Sequence, residues 1–174
     1  EESCRAARDQ ARAVKRLEQA TLTIGTMCTI GPQLVSGLLV RFQAQHPGVE
    51  GRVVDTGAPQ MIEMLEKGDL EVAIVGIPGE LPPTLHQLPI FEERFVILLP
   101  PNHRLVASNP IRAAELDQEP YVSRSNCEVF EPVRNELVSR GVRLRQVFSS
   151  PRDDWVQGMI KAGLGLGFFP EFSV

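Results

Sequence analysis

The sequence has few of the residues on which stapled or metal-bound domains depend. Its three cysteines stand at 4, 28 and 127 and its three histidines at 46, 86 and 103. No CxxC pair and no Cys/His zinc spacing joins them, so neither a disulfide framework nor a metal centre is expected. A scattered, odd set of thiols suits a reducing, cytoplasmic setting. A basic excess is also missing. The 18 Lys and Arg stand against 22 Asp and Glu, a net charge of −4, which argues against the chain itself being a nucleic-acid binder. No apolar run approaches the roughly 18–20 residues of a membrane span. The N-terminal stretch EESCRAARDQARAVKRLEQ lacks the apolar core of a signal peptide. No Ser-His-Asp, Cys-His or paired-carboxylate arrangement is evident, so no enzymatic activity and no cofactor is expected.

What is present is an ordinary globular composition. The 174 residues are 43% hydrophobic and 23% charged, enough to bury a core in one domain or two small lobes. Residues 1–20 hold no Gly or Pro. Cys4, Ala7, Ala11, Val14 and Leu17 recur at helical spacing, a thin apolar stripe suited to a linker or pairing helix. The pattern then changes. TLTIG (21–25) reads as a strand, and Thr29-Ile30-Gly31-Pro32 opens a helix with Leu34, Val35, Leu38, Leu39 and Phe42 as its inward face. GRVVDT (51–56) is a second strand. A helix from Pro59 turns Met61, Ile62 and Leu65 inward and stops at Gly68. LEVAIVG (70–76) reads as a near-continuous apolar strand of a covered parallel sheet. This is β-α-β-α-β, an open α/β lobe.

LHQLPIFEERFVILLP (85–100) reads as a long extended connector, and a short helix follows near Ala113–Leu116. A second round begins at PYVS (120–123). It continues with a helix through Pro132, Val133, Leu137 and Val138 to Gly141, a strand over RLRQVFS (143–149), and a helix from Asp153 with Trp155, Val156, Met159 and Ile160 inward. Gly163-Leu164-Gly165-Leu166-Gly167 follows a helix, whereas a dinucleotide site needs its glycines after a strand. It is therefore expected to be a helix C-cap with close packing at the turn.

Ligands of open α/β sheets bind beyond the carboxyl ends of strands, where loops enter helices. Two such junctions stand out: Thr26-Met27-Cys28-Thr29, and Ser123-Arg124-Ser125-Asn126-Cys127. Each offers hydroxyls and a helix N-terminus suited to an anion. The competing reading makes Thr29 and Ser125 or Asn126 plain helix caps. The acidic pairs Glu92-Glu93 and Asp153-Asp154 read as solvated charges in connectors.

Four stretches, taken together in order and spacing, resemble the effector-binding domain of LysR-type transcriptional regulators. They are LTIGTMCTIGPQLVSGLLVRFQAQHPGVE (22–50), LEKGDLEVAIVG (65–76), LPIFEERFVILLPPNHRLV (88–106) and IKAGLGLGFFP (160–170). The resemblance implies an α/β fold of two Rossmann-like lobes, periplasmic-binding-protein-like, with an effector cleft between them. It places the end of a linker helix at 1–20, lobe I at 21–92, lobe II at 93–170 and the start of a return to lobe I at 171–174, so the chain is expected to be truncated. It also implies a small-molecule anionic effector and a homodimer through the 30–45 helix and the 143–162 region, with Leu38 or Phe42 at the interface or in the core. A tetramer is expected in the full-length protein, with DNA contacted only through a winged helix-turn-helix upstream and no membrane association. TIGPQL and the polar setting of Cys127 further resemble the peroxide-sensing OxyR members of the family. There Cys127 matches the peroxide-reacting cysteine and Thr29 a threonine near it. Asn126 replaces a histidine, and no second cysteine lies one helix-length downstream. A thiol-based oxidant sensor is thus the alternative, and a transporter's solute-binding protein is the rival from another class.

Overall fold

The computed structural model describes residues 20–27, 30–76, 81–125, 127 and 129–174. The expected linker helix up to residue 19, together with Cys28, Thr29 and Asn126, lies outside the described residues. Ala20 begins a strand. The chain divides into two compact units, Glu1–Leu88 and Pro89–Val174.

The first unit is built on three parallel strands, β1 (Ala20–Thr26), β2 (Val49–Asp55) and β3 (Val72–Ile74), in the order β2-β1-β3. Parallel neighbours need crossovers, here helices α1 (Pro32–Gln45) and α2 (Ala58–Lys67). Each helix carries proline in its first turn, where the missing N–H costs nothing and φ is already helical. Pro47, one residue past the C-cap His46, prevents α1 from continuing. Met27, Ile30, Val35, Ala58, Met61 and Leu70 form the core between sheet and helices.

Two expectations for this unit are corrected. On α1, Val35 is buried and Leu39 and Phe42 half-buried, but Leu34 and Leu38 are 37% and 50% exposed. The stripe at i, i+4 and i+7 faces the sheet, and Leu34 and Leu38 stand one residue, about 100°, to its side. The 70–76 stretch gives only a three-residue strand at the sheet edge. Leu70 is buried in the core, but Val72 is 43% exposed, since β3 has a single neighbouring strand among the described residues.

In the second unit, β5 (Pro120–Arg124) pairs in parallel with β6 (Arg145–Ser150), and β4 (Phe95–Leu98) pairs antiparallel with β7 (Gly167–Pro170). Leu166 bridges the pairs: Val122 N–H donates to its carbonyl at 2.8 Å, and its own N–H donates to Pro120 O at 2.9 Å. Strand alternation sends neighbours to opposite faces. Tyr121 and Phe168 pack with Leu105, Leu116, Leu137 and Val142 toward helix α3 (Phe130–Ser139). Val122 and Phe169 pack with Val156 and Ile160 of helix α4 (Asp153–Lys161).

The glycine-rich turn behaves as expected. Gly163 takes the left-handed φ of 98° that ends α4. A Cβ on Gly165 would lie 2.4 Å from the Pro120 carbonyl oxygen, so only glycine lets the two backbones meet there. Three other expectations need correction. Trp155 is 52% exposed, because the inward stripe of α4 centres on Val156, Met159 and Ile160 and leaves it to one side. Val138 is likewise 51% exposed beside buried Leu137. Of the extended 85–100 stretch, only Phe95–Leu98 is strand. No helix among the described residues is long and apolar enough to cross a membrane.

Candidate functional site

Both strand-to-helix junctions singled out in the sequence sit at the carboxyl edge of a parallel pair, each within its own unit. In the first, Thr26 ends β1 opposite Asp55 of β2. Its carbonyl accepts the Thr56 N–H at 3.3 Å. The side chain of Met27 is committed to the core, at 1% exposure, and its sulfur accepts the Gly76 N–H at 3.4 Å. Beside this edge lie two groups the sequence reading passed over. The Thr56 hydroxyl donates to Gln60 Oε1 at 2.6 Å, and partial burial pushes the Asp55 carboxyl above its ordinary range. The signal was available: GRVVDT also ends a strand at a helix start.

The second junction is the more built. Arg124 is the last residue of β5, and its side chain is 2% exposed. Burying a cation this far requires paired acceptors. Arg124 Nη1 donates to both carboxylate oxygens of Asp153, at 3.2 and 3.3 Å, and its guanidinium lies 5.0 Å from the centroid of the Phe169 ring. Nη2 lies 3.1 Å from Cys127 Sγ. Asp153 opens α4, where the helix dipole also favours a carboxylate.

Ser125 follows, and its N–H donates to Ser150 O at 3.0 Å across the β5–β6 edge. Ser123 is buried and donates to Phe148 O at 3.4 Å. Neither helix entering these junctions uses a side-chain cap: Gly31 precedes α1 and Val129 precedes α3. Capping therefore does not account for Ser125.

Asp153 is a correction. Expected from the sequence to be a solvated charge, it is 20% exposed and holds the buried Arg124. Its signal was the same as for the chosen loops, since Ser149-Ser150-Pro151-Arg152-Asp153 leads from a strand into a helix. Tyr121 adjoins the cluster. Burial, with the nearby Cys127 second, pushes its phenol up to about 12. A recess lined by Phe95, Tyr121, Arg124 and Cys127 has a volume of only about 10 Å³, room for a water at most. Any ligand here would rest on the edge of the second unit rather than inside it.

Each unit thus ends a parallel strand pair beside a helix start, and the second carries a buried guanidinium there. Residues 15–174 match the family model described as LysR substrate binding domain. The chain belongs to that family. Among curated relatives, the HTH-type transcriptional regulator YwbI of Bacillus subtilis, itself uncharacterized, is 24% identical over 91% of this chain and 52% of its own length. A probable RuBisCO transcriptional regulator of Synechocystis is 25% identical over 100% of this chain and 51% of its own. The LysR-type chain thus spans about half the length of the curated relatives it matches.

Among solved structures, the PA01 protein of Pseudomonas aeruginosa, a LysR family regulator by its description, matches with a TM-score of 0.75 at 25% identity. That match covers 95% of this chain and 63% of the other. The CcmR regulatory domain of Synechocystis PCC6803, in complex with 2-PG, matches at TM-score 0.78 and 19% identity over 89% and 74%. The reduced OxyR regulatory domain of Pseudomonas aeruginosa matches at 0.72 and 23% over 91% and 76%. The last two likenesses establish the shared LysR-type fold.

Proposed function

We propose that this LysR-type domain is the sensing half of a transcriptional regulator that binds a small anionic effector at the carboxyl edges of its sheets and has no enzymatic activity. One observation carries the reading: a buried, carboxylate-paired Arg124 at the end of β5, with Ser125 and Cys127 in the loop beside it. The ion pair fixes the loop, and the loop's hydroxyl and N–H groups would give an anion its hydrogen bonds. Thr26 and the Cys28–Thr29 loop would supply the matching contacts of the first unit. That a LysR-type relative in fold holds 2-PG fits an effector of this class.

The full-length regulator would contact DNA through a winged helix-turn-helix outside this chain and work as a homodimer, a tetramer at full length. Exposed apolar side chains support the pairing faces: Leu38 on α1 and Trp155 on α4 are 50% and 52% exposed. Effector binding would shift the population of protomer arrangements and so the spacing of the DNA-binding heads.

Calorimetric titration with a panel of small carboxylates and phosphate esters, 2-PG included, tests the reading. A binder is expected whose affinity falls at least about tenfold in Ser125→Trp, which fills the loop edge. A binder indifferent to Ser125→Trp, or no binder in the panel, would count against it.

A second reading rests on the 3.1 Å approach of Arg124 Nη2 to Cys127 Sγ. Thiols react as thiolates. In an oxidant sensor, Cys127 would attack one peroxide oxygen, take it up as a sulfenic acid and release the other as hydroxide. Mass spectrometry after peroxide treatment decides it: oxidation confined to Cys127 supports sensing, and equal oxidation of Cys4 and Cys28 opposes it.

A further inference from the structure

We infer that the second unit holds a separate pocket for a small aromatic anion, on the α3 face of its sheet. A cavity of about 450 Å³ opens there, within the roughly 300–1,000 Å³ typical of small-molecule sites. Tyr121, Phe130 and Phe168 form an aromatic wall. The Tyr121 and Phe130 rings lie 5° from parallel with centroids 6.1 Å apart, and Phe168 stands 5.8 Å from Tyr121. Val133 adds apolar lining, and the exposed Arg143 stands at the solvent side. Arg124, Ser125 and Cys127 do not line this cavity, so it is distinct from the edge proposed for the effector, although the two share Tyr121 as a wall.

Two features point to an occupant. Tyr121 is only 7% exposed, yet its hydroxyl has no hydrogen-bond partner among the described residues. The hydroxyl oxygen itself keeps some access to solvent, so a ligand's polar group would take the place of water there. Arg143 lines the same cavity and makes no ion pair among the described residues, whereas nearby Arg134 and Arg140 pair with Glu131 and Glu136. An aromatic wall, a solvent-reached hydroxyl and a guanidinium without an ion pair among the described residues suit a planar ring bearing a carboxylate. The ring would pack along this aromatic wall, with the carboxylate at Arg143.

The test is equilibrium binding of 1-naphthoate and its neutral counterpart 1-naphthalenemethanol to the 174-residue chain. Both should bind. Arg143→Gln should weaken naphthoate about tenfold, the loss of a charge-assisted contact, and leave naphthalenemethanol within about twofold. Val138→Trp should abolish both, because a large ring at this cavity-lining position fills the space. Val138 is 51% exposed, so the fold should tolerate it. Ser125→Trp should change neither. Failure of naphthoate to bind, binding indifferent to Val138→Trp, or equal weakening of both probes by Arg143→Gln would overturn the inference. Loss of naphthoate in Ser125→Trp alone would assign it to the effector edge, ending this proposal while leaving the functional reading intact.

Discussion

Replacing Asp153 with alanine would take from the buried Arg124 cation the carboxylate that its Nη1 meets at 3.2 and 3.3 Å. The side chain of Arg124 is 2% exposed and that of Asp153 is 20% exposed, so water cannot freely take the place of the lost acceptor. Removing one partner of a buried pair costs about 3–5 kcal/mol. Other contacts of Arg124 offset part of this here. The Phe169 ring stays within cation–π range at 5.0 Å, and Cys127 Sγ remains 3.1 Å from Nη2. An expected loss of about 2–4 kcal/mol follows. In a chain of this size, that lowers the melting temperature by about 4–16 °C.

The assay is urea denaturation followed by circular dichroism, at low and high salt. Because the pair is buried, the loss should change little with ionic strength, unlike a surface ion pair. The double replacement Arg124→Met with Asp153→Leu removes both charges and should be more stable than Asp153→Ala alone. If Asp153→Ala costs less than about 0.5 kcal/mol, the scale of an ordinary surface change, or if high salt erases its effect, Arg124 is solvated and the pair does not organise this edge.

Other outcomes follow from the same contacts. Gly165→Ala should destabilise by about 3 kcal/mol or more, since its Cβ would press on the Pro120 carbonyl 2.4 Å away, backbone that cannot swing aside; thermal unfolding measures it. Burial raises the Glu119 carboxyl, but hydrogen bonds from Arg104 at 2.9 Å and His103 at 3.1 Å outweigh it and hold it below the usual range. Its stabilisation is therefore present above the unfolded pKa, about 4.3, and is lost as pH falls through the lower folded value. Glu119→Gln should cost about 1–3 kcal/mol at neutral pH and progressively less in acid, checked by denaturation as a function of pH. If the α1 face pairs protomers, Leu38→Glu should weaken a dimer seen by analytical ultracentrifugation while leaving the fold intact, because Leu38 is 50% exposed.

The fold was legible wherever two signals agreed. Prolines marked the helix starts, as Pro32 and Pro59 did, and glycines the stops, as Gly68 and Gly141 did. Period-2 and period-3.6 patterns filled the elements between. What escaped was depth within a pattern. Leu34, Leu38 and Trp155 are apolar and near the inward stripe, and one residue of helical phase decides which side of it they occupy. At the site, a single rule located both loops, the end of a strand before a helix. The end of β6 obeys the same rule, and Asp153, which follows it, holds Arg124. No local pattern links residues 124 and 153. The pair exists because β5 and β6 are parallel neighbours, which places Arg124 opposite Ser150, three residues before α4 begins.

The proposed anionic effector would be read at the edge formed by Arg124, Ser125 and Cys127. Amide chemical-shift mapping of the labelled chain, titrated with the panel of small carboxylates and phosphate esters, tests it most directly. The tightest-binding member is expected to shift the N–H signals of Ser125, Cys127 and Arg152 together and saturably, and Ser125→Trp to remove the response. A tight binder whose shifts leave these amides unmoved and cluster elsewhere in the chain would contradict it.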